Sequence, residues 1–152
     1  MSDQNENLWP SDIFVSKTVS PASILRHQAS ILSEKTRGML EGDVTTKSER
    51  TAIIHSFYVV APALDNYRYE LFRIAHPVTL YPIRVLAGPN SHETISVDAS
   101  AAVASDFDGI GTYERNRELP TEKEFLEWLR SAFTAEQTKK VIDALLAQTS
   151  SS

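Results

Sequence analysis

Apolar side chains recur at helical spacing from Ile24 and Leu25 through Ile31 and Leu32 to Met39 and Leu40. Arg26, His27, Ser30, Ser33, Glu34 and Arg37 fall on the opposite, water-facing side. The pattern predicts a helix over residues 21–41. Ser20 supplies an N-cap hydroxyl, Pro21 sits where a missing N–H costs nothing, and Gly42 is a natural stop.

The middle of the chain changes period. "RTAIIHSFYVVA", residues 50–61, is rich in β-branched and aromatic residues and apolar at both alternate sets of positions, as in a central strand covered on both sides. "NYRYELFRIA" and "VTLYPIRVLA" follow, set off by turn signals at Asp65-Asn66 and His76-Pro77. Short connections favour antiparallel neighbours, hence a meander. Pro82 cannot donate to a ladder and points to an edge or a bulge in the third strand. A weaker alternation in "ETISVD", residues 93–98, suggests a fourth.

The chain ends in helical pattern. Thr121 and Glu124 form a capping box, after which Phe125, Leu126, Leu129, Ala132 and Phe133 line one face. Thr134 and Gln137 repeat the box ahead of Val141, Ile142, Leu145 and Leu146. The expected fold is α+β: an N-terminal helix, an antiparallel meander sheet of three to four strands, and two short C-terminal helices packed on one sheet face. Residues 1–20 read as a flexible N-terminal segment, 21–148 as a single domain, and 149–152 as a disordered tail.

Composition narrows the chemistry. A chain of 152 residues can bury a core without staples, and the absence of cysteine excludes disulfides, thiolate metal sites and cysteine nucleophiles. The start, "MSDQNENLWP", has no secretory pattern, and the longest apolar run, Phe57 to Leu64, falls far short of the roughly 20 residues a spanning helix needs. A cytoplasmic setting without membrane contact is expected. The net charge is −5, and residues 98–152 carry ten acidic against six basic side chains. No segment has the basic stripe that phosphate neutralisation requires.

"SDFDGIGTYE", residues 105–114, looks like a calcium loop or a phosphate cradle. Counted from Asp106, positions 1, 3 and 6 fit a calcium loop with Asp106, Asp108 and Gly111. Position 5 is Ile110 and position 12 is Arg117, a cation where the strongest anion belongs. Gly109 and Gly111 lack the third small residue of a dinucleotide loop. Asp108-Gly109 is turn chemistry.

Of His27, His55, His76 and His92, none forms an i, i+4 metal pair. His55 lies inside the strongest strand. A hairpin turning about Leu64 would set it opposite Arg73, a cation able to lower its pKa. Ser56, next in sequence, points to the other face and stands in no nucleophile elbow. No residues are assigned to catalysis, to a cofactor or to a metal.

Two surfaces remain. Tyr67, Arg68, Tyr69 and Arg73 put aromatics and guanidiniums on one strand, as in a base-stacking platform, although the last helix offers only Lys139 and Lys140 to phosphates. Trp9, Ile13, Phe14 and Val15 are apolar groups in a polar tail, and Trp128 lies between the core and charged sides of its helix. The expectation is a non-catalytic interaction or accessory subunit that binds a protein or a second copy of itself. It would use a sheet edge, the N-terminal segment or the C-terminal helices, with Trp9, Ile13, Phe14 and Trp128 as contacts. A nucleic-acid factor using the Tyr67/Tyr69/Arg68/Arg73 surface is the first alternative, and a small hydrolase or ligand-binding enzyme centred on His55 the second.

Overall fold

The computed structural model describes residues 6–13, 18–89 and 117–151. Helix α1 (Pro21–Lys35) precedes strands β1 (Glu41–Glu49), β2 (Ala52–Ala61), β3 (Tyr67–Pro77), β4 (Ile83–Ala87) and β5 (Glu118–Leu119); helices α2 (Glu122–Thr134) and α3 (Glu136–Ser151) follow. The strands lie in sequence order in one antiparallel sheet. The architecture is therefore the expected α+β one, with five described strands in place of three or four. "ETISVD" and "SDFDGIGTYE" lie outside the described residues.

α1 starts as its sequence dictates: the Ser20 hydroxyl accepts from the Ser23 N–H at 3.1 Å, and Pro21 is the first helical residue. It ends six residues before the expected boundary. Thr36 closes the helix, and Arg37 and Gly38 turn left-handed at φ 54° and 82°. The Arg37 N–H reaches the Glu34 carbonyl and the Gly38 N–H that of Ser33, the pair of bonds that satisfies a helix's last carbonyls. The Thr36 hydroxyl accepts from the Leu40 N–H at 3.1 Å and fixes the exit into β1. Met39 and Leu40 thus continue the helical spacing without being helical, and Gly42 is a strand residue rather than a stop. Its role is proximity: a Cβ on Gly42 would lie 2.5 Å from the Ala29 Cα, so α1 rests directly on the β1 backbone.

β2 pairs with β1 from Glu49↔Ala52 to Glu41↔Val60, and with β3 from Ala52↔Pro77 to Ala61↔Tyr67. Asp65 and Asn66 make the second turn in left-handed conformation, as the sequence signals. β3 runs on through Pro77, so the following turn lies after it, closed by the Leu80 N–H on the Pro77 carbonyl. Pro82 immediately precedes β4 instead of interrupting it, and β4 is flanked by β5 rather than forming an edge.

One sheet face carries the core. Phe57, Val59 and Ala61 of β2, Leu71, Phe72 and Ile74 of β3, and Ile83, Val85 and Leu119 meet the buried side chains of all three helices in one cluster. Phe72 is its hub, stacked on Phe57 at 5.3 Å and met edge-on by Trp128 at 5.1 Å and Phe133 at 5.8 Å. α2 is capped by Thr121, which accepts from the Glu124 N–H. Thr134 instead bonds back to the Arg130 carbonyl at 2.7 Å, so it ends α2 and does not cap α3. α3 continues to Ser151, through most of the stretch expected to be a tail.

Candidate functional site

Three regions hold the residues on which chemistry or recognition could rest. The first is a line of polar side chains crossing three strands on the helix-covered face. Thr46 of β1 lies opposite His55 of β2, and His76 of β3 is His55's diagonal neighbour. The Thr46 hydroxyl is 2.9 Å from His55 Nδ1, the two Nε2 atoms are 2.9 Å apart, and His76 Nδ1 is 2.7 Å from the Pro77 carbonyl.

Bonding capacity fixes the protons when both rings are neutral. A carbonyl only accepts, so His76 Nδ1 donates to Pro77 and its Nε2 must accept. His55 therefore donates through Nε2 and accepts at Nδ1 from Thr46. The chain is saturated, and His55 and His76 are 3% and 5% exposed. Burial foremost, then the neighbouring His76 and Arg26, push the His55 pKa down to about 4.

Arg73 plays no part in this. It lies opposite Ser56 on the other face, where Glu70 holds it through two bonds of 3.2 and 3.1 Å. The pairing expected from the turn holds from Tyr67 to Glu70, but Leu71 is an extra residue in β3. That bulge shifts the register by one and brings Ile74 opposite His55 in place of Arg73. His76 as partner carries no local signal, since its place depends on the bulge.

The second region is the strand that suggested base stacking. The fold divides it. Tyr67 and Tyr69 alternate with Arg68 and lie on the helix side, where Tyr69 packs against the core and accepts from Gln137 Nε2 at 3.5 Å. Arg68 and Arg73 face the opposite way, Arg68 paired with Asp43 at 2.7 Å and over the Tyr58 ring at 4.3 Å. The four side chains do not form one surface.

The third region is the N-terminal segment. Leu8, Trp9 and Ile13 are 82%, 71% and 54% exposed. The Trp9 N–H is held by the Asn7 side chain at 3.1 Å, and the Ile13 N–H by the Pro10 carbonyl at 3.3 Å, so the segment is turned about Pro10. Phe14 lies outside the described residues. Trp128, at 3% exposure, belongs to the core: α2 buries Phe125, Trp128, Leu129 and Ala132 and leaves Leu126 43% exposed, a stripe rotated from the expected one.

Among the described residues no group of three or more histidines and carboxylates could hold a metal, and no helix is long and apolar enough to cross a membrane. Among the described residues the fold is a two-layer α+β one, a five-stranded antiparallel sheet in sequence order with three helices on one face. Comparison with protein families, with curated proteins and with solved structures finds no match.

Proposed function

We propose that this chain is a non-catalytic interaction protein, an accessory subunit that docks on a protein partner through Leu8, Trp9 and Ile13. The observation that carries the proposal is their exposure on one short turned segment. Bulky apolar groups held in water are costly unless a second surface removes them from it, and tryptophan is the commonest anchor of such contacts. Glu6 precedes the three anchors and Asp12 lies among them, so the partner groove is apolar with basic groups beside it.

Affinity capture from the native host, with wild type and with Leu8→Ser/Trp9→Ser in parallel, tests this. The partner retained by wild type is expected to bind the double variant at least about 30-fold more weakly, the scale of losing a hot spot. Melting of the variant should be unchanged, because neither side chain joins the core. Equal retention by both proteins would sink the proposal.

A further inference from the structure

α1, the sheet and the C-terminal helices form a half-open hollow of about 250 Å³. Phe57 and Leu71, each 1% exposed, line it together with Leu32 of α1 and Ile142 of α3. Among the described residues two polar side chains line it, Gln28 and Lys35, two turns apart on one face of α1. Neither joins an ion pair or a side-chain hydrogen bond among the described residues. A second hollow of about 360 Å³ shares Gln28 with the first and adds Arg130, so a second cation borders the same trough. Among the described residues no anionic side chain lines either hollow.

The charge pattern selects the occupant. An ammonium and an amide N–H₂ at the rim of an apolar hollow complement one carboxylate on an apolar tail. The size limits that tail. A dry apolar cavity of roughly 150 Å³ accommodates benzene, and drug-sized ligands fill roughly 300–1,000 Å³. The occupant is therefore a small molecule, larger than one ring and smaller than most cofactors. The chain's own Leu8, Trp9 and Ile13 do not fill the space, since all three are exposed. We propose that the cavity binds a medium-chain carboxylate, its alkyl tail against Phe57 and Leu71 and its carboxylate at Lys35 and Gln28.

Calorimetry on the full chain with octanoate and with octanol, its neutral counterpart, tests both halves of the assignment. Octanoate is expected to bind about fivefold more tightly than octanol, as one partly exposed ion pair provides. Lys35→Met should bring octanoate to the affinity of octanol without moving the melting temperature, because Lys35 is exposed and joins no ion pair among the described residues. Methyl NMR of the unmodified protein locates the ligand: Leu32 and Ile142 should shift, and Leu119 at the far edge of the sheet should not. Equal affinities, an unaltered Lys35→Met, shifts away from this cavity, or no binding at millimolar ligand would each overturn the assignment. Leu8→Ser/Trp9→Ser leaves this binding intact, so its outcome and that of the partner capture are independent.

Discussion

The two faces of the sheet are built from alternate residues of the same strands, and they treat polar groups in opposite ways. On the helix-covered face, His55 and His76 are buried and each hydrogen-bonding atom of the two imidazoles has a partner, the outermost being the hydroxyl of exposed Thr46. On the other face, Asp43, Arg68, Glu70 and Arg73 pair side by side, with the Arg68–Asp43 side chains each 44% exposed. Where water is excluded, a polar group is retained only if saturated and neutral; where it is not, full charges are tolerated and worth little. Perturbing each face should therefore give effects of very different size.

Acid should give the largest. Unfolded, His55 titrates near 6.5; folded, near 4. Between those values the unfolded chain takes up a proton that the folded chain refuses. Stability is thus complete above pH 6.5 and falls as the pH drops, by about 3 kcal/mol at pH 4. Carboxylates also titrate in acid, so the isolating measurement is denaturant unfolding of wild type and His55→Gln at pH 7 and pH 4. The variant is expected to be less stable at pH 7, with the gap closing by pH 4. A gap of the same width at both would remove the histidine pair from the account.

Close packing on the same face comes next. Gly42→Ala puts a Cβ 2.5 Å from the Ala29 Cα and 2.6 Å from its Cβ, and both belong to a helix that cannot yield without leaving the sheet. A loss of about 1–3 kcal/mol is expected, the usual range for overpacking a tight contact. It should appear as a lower denaturant midpoint with an unchanged slope. A variant as stable as wild type would show that α1 does not bear on β1 as described.

These positions also show what a sequence can disclose. β2 was legible because both its faces are buried: Phe57 and Val59 on one side, Ile54 and Val60 on the other, so its apolar run has no second explanation. β1 was not. Its helix side needs only Gly42, Val44 and Thr46, its other side carries charges, and one apolar residue in nine gives no period to read. The end of α1 is hidden in the period because Met39 and Leu40 keep the helical spacing, although Gly38 marks the left-handed exit. The caps at Ser20 and Thr121 were readable because they are local, needing only a hydroxyl and an N–H three residues on. The His55–His76 contact was not, since a single bulge residue, Leu71, decides which side chains meet across 21 positions. Nor was the apolar cavity, whose lining comes from α1, the sheet and both C-terminal helices.

On the charged face the expected effect is smallest. Arg68 joins Asp43 at 2.7 Å and lies 4.3 Å from the Tyr58 ring centre. Both contacts are partly solvated, so the Coulomb gain is screened and two long side chains lose rotamer freedom to keep it. Its stem also lies beside Val60, its cross-strand neighbour, so truncation removes some apolar cover as well as charge. Arg68→Ala should cost no more than about 1 kcal/mol, and Arg68→Met, which keeps the stem, less. The Arg68→Ala cost should shrink in about 1 M salt, where the Debye length is roughly 3 Å, leaving the part due to packing. A loss of the size expected for Gly42→Ala, insensitive to salt, would mean that this face is a second core and that the contrast between the two faces is false.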